Sequence, residues 1–224
     1  MLATIHGPGV ALWGGPSFKS VNRFAHAEVK LIDFSPFERY LVTWSPKPIE
    51  AGRGASSPFT EDDEGNHIAV WEVMSGRLLR TFPMVGDNGP EGQKRIVWPM
   101  FKWSPDEKFL GRVTPGQQIS VYEVPSMGLL SKKSVKIEGV VDFEWCPLSD
   151  KERDELEGGG GADVGKKGKA VAVRENIIAF WTPEVINQPA RVSLMALPSR
   201  TTIRSKNLFN VHDVSPFLSL AFSC

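Results

Sequence analysis

At 224 residues the chain is long enough to bury a sizeable core in one or two domains, and its 26 Lys and Arg balance 26 Asp and Glu, which excludes a global basic field for nucleic acid or an anionic membrane. Two cysteines, Cys146 and Cys224, exclude a disulfide framework and fit a reducing compartment. The opening Met1-Leu-Ala-Thr-Ile-His lacks the order of a signal peptide and no apolar run reaches the length of a membrane span, so a soluble cytoplasmic protein with no membrane partner is expected.

The first element is residues 9–13, Gly-Val-Ala-Leu-Trp, an apolar run closed by an aromatic. Residues 29–34 and 40–44 read as a hairpin joined through Ser35-Pro36, because Pro pre-sets φ at the second position of a type I turn. Residues 46–65 form a loop of Pro, Gly, Ser and acid, after which residues 67–71, His-Ile-Ala-Val-Trp, repeat the apolar-aromatic ending. Residues 77–82 read as a fourth short strand, and residues 83–95 as a second loop. The pattern then returns: a hairpin of residues 100–103 and 109–113 through Ser104-Pro105, followed by residues 118–122, Gln-Ile-Ser-Val-Tyr. Residues 140–145 are expected to pair with residues 170–174 across a long loop at 148–168, with 176–181, Asn-Ile-Ile-Ala-Phe-Trp, closing that unit. Residues 190–211 are expected to begin another.

The aromatic anchors Trp13, Trp71, Tyr122 and Trp181 lie 51 to 59 residues apart, and subtracting one loop from each interval leaves 38 residues every time. A strand recurring at such a period points to a β-propeller, a platform for partners more often than an enzyme. Runs such as Ile68-Ala-Val-Trp71 do not alternate, as expected of strands buried on both faces. A two-sheet sandwich is the structural alternative. The fold class is therefore all-β, an incomplete WD40-type propeller. Residues 1–15 supply the end of a blade, 29–82, 96–130 and 135–185 three whole blades, and 190–211 the start of another. Closed propellers typically need about 4–8 blades, so the chain reads as a segment of a larger one. One helix is a candidate, at residues 149–157, where Ser149 and Glu152 have capping-box spacing.

Several stretches resemble one family: Ala3-Thr-Ile-His, Ala11-Leu-Trp-Gly-Gly-Pro-Ser, Arg23-Phe-Ala-His and Phe34-Ser-Pro-Phe-Glu-Arg-Tyr-Leu-Val-Thr-Trp-Ser-Pro. Trp98-Pro-Met-Phe-Lys-Trp-Ser-Pro-Asp, Ile119-Ser-Val-Tyr-Glu, Glu144-Trp-Cys-Pro and Arg204-Ser-Lys-Asn-Leu-Phe-Asn-Val continue the match. Together they resemble the B subunit of eukaryotic translation initiation factor 3, over residues 2–211. The resemblance implies a central propeller in a scaffold subunit that supports assembly of the factor and its binding to the small ribosomal subunit and mRNA. Its implied partners are the other subunits of the factor, the small ribosomal subunit, and ribosomal RNA or mRNA. In that family an RNA-recognition domain precedes the propeller and a helical segment follows it, and this chain reads as propeller alone. Residues 1–211 are thus expected to be partial propeller. Residues 212–224 depart from the family pattern and are expected to be a divergent tail, a read-through or mis-predicted end. Translation initiation factor 2A shares the pattern more loosely, and a WD-repeat module of another complex is the alternative function.

Catalytic chemistry finds little support. Gly160-Gly-Ala-Asp-Val-Gly-Lys-Lys matches a phosphate-binding loop until the position that needs Ser or Thr for Mg²⁺, where Lys167 stands, and it precedes a strand rather than a helix. His6, His26, His67 and His212 lack metal-ligand spacing, and Glu61-Asp-Asp-Glu64 lacks the calcium-loop pattern. Cys146 has no neighbour in sequence that would lower its pKa, and no Gly-x-Ser-x-Gly elbow is present. The expectation is a non-enzyme with no catalytic, metal or cofactor site and no cofactor. An enzyme on the same fold would need carboxylates or a metal site converging in space. Basic residues are the remaining hint: Lys132, Lys133 and Lys136 near a blade edge, Arg200, Arg204 and Lys206, and Lys166, Lys167 and Lys169. Such side chains contact phosphate without reading sequence. The first two groups are the candidate RNA or partner contacts.

Overall fold

The computed structural model describes residues 1–52, 57–84, 98–149, 153 and 175–209. Among these, sixteen strands and two 3-10 turns fall into four antiparallel sheets. The chain divides into two compact units, Met1–Met100 with Val124–Met127, and Phe101–Glu123 with Gly128–Cys224.

The first unit holds two sheets. One is β1 (Leu2–His6), β2 (Gly9–Gly14) and β3 (Lys19–Phe24); the other is β4 (Leu31–Phe34), β5 (Tyr40–Trp44), β6 (Ile68–Glu72) and β7 (Leu78–Phe82). In the second unit, β8 (Lys102–Trp103), β9 (Phe109–Thr114), β10 (Gln118–Glu123) and β11 (Gly128–Leu129) form one sheet, and β12 (Val135–Lys136) also pairs with β10. The fourth sheet is β13 (Asp142–Trp145), β14 (Asn176–Thr182), β15 (Ala190–Leu197) and β16 (Thr201–Leu208). Each sheet runs in chain order, strand beside next strand. These are the blades of an incomplete WD40-type propeller, three with a full set of four meander strands and one with three.

The Ser-Pro turns form as the sequence predicts. The carbonyls of Ser35 and Ser104 accept the amides of Glu38 and Glu107, each at 2.9 Å. The two serine hydroxyls accept the amides of Tyr40 at 3.0 Å and Phe109 at 2.9 Å. Glu38 and Glu107 occupy the left-handed region, with φ of 56° and 57°. A serine that satisfies two amides thus closes each hairpin between the first and second strands.

The fourth sheet is built differently from the sequence expectation. The expected partner of residues 140–145, residues 170–174, lies outside the described residues. β13 instead pairs directly with β14, Phe143 opposite Phe180 and Trp145 opposite Ile178. The Asn176–Trp181 run is therefore the second strand of its sheet, whereas the runs ending at Trp71 and Tyr122 are third strands. Residues 190–208 do not open a new blade; they supply the third and fourth strands of this one. A bulge marks the equivalent position. The last strand pair of the first, second and fourth sheets shifts register at Leu12/Trp13, Val70/Trp71 and Leu194/Met195. Met195 occupies the place of Trp13 and Trp71, and the equal third interval was a coincidence. Two other boundaries move: the first sheet extends to Phe24, and Val135–Lys136 belongs to the third sheet. The candidate helix is described only at Ser149 and Arg153, where the Arg153 amide donates to the Ser149 carbonyl at 3.0 Å. The Gly160–Lys167 motif, Lys169, His212 and the tail at 212–224 lie outside the described residues.

Each unit packs one sheet on another. In the first, Val10, Leu12 and Phe24 meet Leu41, Ala69 and Trp71. Ile68, Ala69, Val70 and Trp71 are all buried, as their unbroken apolar run predicts. The anchors are not alike: Trp71 is 1% exposed, while Trp13, Tyr122 and Trp181 are half-buried. In the second unit, Ile119 and Val121 of the third sheet pack on Phe143, Trp145, Ile178, Phe180 and Met195 of the fourth. Gly111 on β9 makes that approach possible. A Cβ there would lie 2.5 Å from Cζ of Phe143 and 3.4 Å from Cζ2 of Trp145. Gly111→Ala should therefore destabilise the second unit by about 1–3 kcal/mol through overpacking. Urea unfolding followed by near-ultraviolet circular dichroism checks this, and an unchanged midpoint would show that the aromatic pair has room to yield.

Candidate interaction surface

The hairpin between β15 and β16 turns through Pro198-Ser199-Arg200. The Glu175 carboxylate fixes it, accepting the Ser199 amide at 2.7 Å and the Ser199 hydroxyl at 2.8 Å. The Arg200 amide donates to the Ala196 carbonyl at 2.8 Å, with Arg200 at φ 61°. From this position the guanidinium reaches back to the third sheet. Its Nη2 donates to the Leu130 carbonyl at 2.8 Å and to the Lys133 carbonyl. Arg200 is half-buried, and two of its donors' directions are already taken by backbone oxygen. It fastens the Leu130–Lys132 turn.

That contact brings Arg200 to the turn that carries Lys132 and Lys133, 67 to 70 residues away in sequence. Lys132 and Lys133 are exposed on the turn Arg200 holds, and Lys136 is exposed on β12, whose Val135 points into the core. Arg204 and Lys206 lie further along β16 and are exposed. Register places them opposite Leu194 and Val192 on one face, while Ser205 on the other face meets Ser193, hydroxyl to hydroxyl at 2.9 Å. Among the described residues, none of Lys132, Lys133, Lys136, Arg204 and Lys206 is in an ion pair. Five cations are thus available at the surface, and the sixth candidate, Arg200, has a structural task.

Other charged groups are committed internally. Lys102, unremarkable in the sequence, donates to Asp142 at 2.8 Å, to the Phe143 carbonyl at 2.7 Å and to Glu144, with its ammonium 5.5 Å from the Phe143 ring centre. Burial alone would raise the carboxyl of Asp106, but the Asn176 amide, the Ser104 hydroxyl and the backbone and ammonium of Lys108 hold it below its usual range. Asp63 follows the same balance, burial opposed by the Thr60 amide and the Thr81 and Thr60 hydroxyls, and ends lowered. His67 donates from Nδ1 to the Ser45 carbonyl at 3.0 Å, and His6 meets the Thr4 hydroxyl at 2.9 Å. The Cys146 amide donates to the Ile177 carbonyl at 2.8 Å, and its side chain is half-buried. No group of three His, Cys, Asp or Glu among the described residues is placed to hold a metal ion, and no described helix is long and apolar enough to cross a membrane. The geometry of the second unit offers exposed cations suited to contact. The Arg200 lock could not be found in the sequence, because its acceptors are carbonyls that carry no residue signature.

No protein-family model matches the chain. Among known proteins, the B subunit of eukaryotic translation initiation factor 3 from Mycosarcoma maydis is 56% identical over 217 residues, covering 95% of this chain and 28% of that protein. The proteins of the same name in Schizosaccharomyces pombe and Cryptococcus neoformans are 49% and 48% identical, each again over 95% of this chain and 28% of the relative. A solved crystal structure of a eukaryotic initiation factor superposes with a TM-score of 0.63 at 20% identity, covering 95% of this chain and 42% of the other, and supports the fold. The chain spans little more than a quarter of the length of the relatives it matches. Over the residues matched, the chain is a homologue of the B subunit of eukaryotic translation initiation factor 3.

Proposed function

We propose that the chain serves as part of a non-catalytic scaffold subunit in translation initiation, acting in the cytoplasm. The observation that carries this reading is identity of 56% to a protein of that name across 95% of the chain. The mechanism is geometric. Stacked blades hold loops and edges at fixed positions for the other subunits of the factor and for the small ribosomal subunit. Lys132, Lys133 and Lys136 supply charge for phosphate contact, local because the chain's net charge is zero. Arg204 and Lys206 extend the cationic surface along β16.

Affinity capture of the full chain from a translation-active extract, followed by mass spectrometry, tests the reading. Other subunits of the factor and small-subunit ribosomal proteins are expected. Joint replacement Lys132→Glu, Lys133→Glu and Lys136→Glu should weaken ribosomal recovery by about tenfold while subunit recovery persists. Folded, soluble chain that captures neither class would sink the proposal and favour an interaction module of another assembly.

A further inference from the structure

β16 (Thr201–Leu208) is the outer strand of the fourth sheet and pairs only with β15 among the described strands. Residues 201–207 are all exposed. A strand paired on one side turns every second amide and carbonyl outward, so among the described residues β16 carries an open row of donors and acceptors. The outer strands β3 and β7 are likewise paired on one side among the described strands, but β16 is the longest and most exposed of them. β3 and β7 each end in a buried phenylalanine, Phe24 and Phe82, and β11 has two residues. No proline interrupts residues 201–208, and Ile203 is 53% exposed beside the register shift.

Charge narrows what the edge can take. Arg204 and Lys206 stand two residues apart on one face, and no described carboxylate pairs with either. Directly opposed side chains on neighbouring strands lie roughly 4.5–5.5 Å apart, close enough for opposite charges to attract and like charges to repel. A second copy of β16 laid alongside would set cation near cation. An acidic strand would meet no such penalty. RNA could neutralise the same cations, and Phe209, 74% exposed just past the strand, offers one ring for stacking, but RNA cannot complement an open β ladder in register.

We propose that β16 is a docking edge that captures an extended acidic segment of a protein partner by strand addition, with carboxylates at alternate positions facing Arg204 and Lys206. Backbone pairing provides the adhesion, and the two cations select the sign and register of the incoming strand. Strand addition here does not depend on which assembly the chain joins.

The test uses the full chain and the peptide acetyl-Glu-Val-Glu-Val-Glu-Val-Glu-amide. Saturating peptide should slow hydrogen exchange at alternate amides of residues 201–208 by about tenfold or more. Joint replacement Arg204→Glu and Lys206→Glu should weaken that peptide by about tenfold and transfer the preference to its lysine counterpart. Both side chains are exposed, so an unchanged thermal midpoint is expected of this variant. Absence of protection in β16 would overturn the proposal. So would undiminished binding of the peptide N-methylated at alternate nitrogens, which would mean that charge alone holds it. Tighter, cation-dependent capture of a uridine decamer than of the peptide would assign the edge to RNA instead.

Discussion

Trp71→Ala should cost the first unit about 3–5 kcal/mol, the scale of removing a large buried aromatic. The side chain is 1% exposed and lies between Phe24 and Phe59, with ring centres 5.2 and 5.7 Å away. Its indole N–H donates to the Thr43 hydroxyl at 2.9 Å, which in turn donates to the Ala69 carbonyl at 3.3 Å. The same hydroxyl lies 2.8 Å from Nδ1 of His26. Truncation therefore leaves a cavity between the two sheets and removes one donor from a buried hydroxyl. Trp71→Phe separates the two effects, keeping most of the apolar contact and losing only the hydrogen bond, for about 1–2 kcal/mol. Domains of this kind commonly have only about 5–15 kcal/mol in total, so the alanine variant should show a markedly lower urea midpoint. A loss under about 1 kcal/mol for Trp71→Ala would mean that the sheets close over the gap and that the indole is not what joins them.

Pairing within a hairpin is legible in the sequence, and pairing across a long loop is not. The Ser-Pro hairpins followed from two adjacent residues, because the turn geometry and the serine hydroxyl act within six residues of each other. The apolar run at 68–71 announced a strand buried on both faces. Trp181 misled because an aromatic at the end of an apolar run looks the same on a second strand as on a third. What separates them is the register shift before Met195, which is a property of two strands together. The candidate surface divides along the same line. Exposure of the lysines near 132 could be anticipated from charge, but Arg200 was grouped with Arg204 and Lys206 by sequence proximity. The fold gives it a different task because its partners are the carbonyls of Leu130 and Lys133. The His26, Thr43 and Trp71 chain spans three elements, and no one segment of sequence contains its logic.

That same chain sets the second large effect, a pH dependence that is hidden in the unaltered protein. Thr43 donates its one hydroxyl hydrogen to Ala69 and so accepts from both Trp71 and His26, which places the neutral imidazole's hydrogen on Nδ1. Nε2 is then a buried acceptor with no partner among the described residues. Protonating it would put an unmatched cation into a site where His26 is 2% exposed. Burial, with the charge of His67 as a lesser cause, lowers the His26 pKa from 6.5 to about 4. The unfolded chain takes up that proton near 6.5 and the folded one does not. Stability from this residue is therefore complete above pH 6.5 and falls as pH drops towards 4, by about 3 kcal/mol in all. Asp33 on β4 opposes it. Burial raises its carboxyl from 3.8 to about 6, so its contribution is greatest below 3.8 and is lost as pH rises through 6. Partial solvent access makes that contribution the smaller of the two. Between pH 6.5 and 4 the two slopes have opposite sign and largely cancel. Asp33→Asn should expose the histidine slope, giving a first unit that loses about 3 kcal/mol over that interval. His26→Asn, which keeps a donor towards Thr43, should instead gain stability on acidification. Asp63 and Asp106, both held below their usual range, titrate beneath this window and leave the comparison intact. Urea unfolding at half-unit steps of pH measures all three proteins. A flat profile for Asp33→Asn would show that the folded state accommodates the His26 proton, and that the buried Nε2 has access to an acceptor after all.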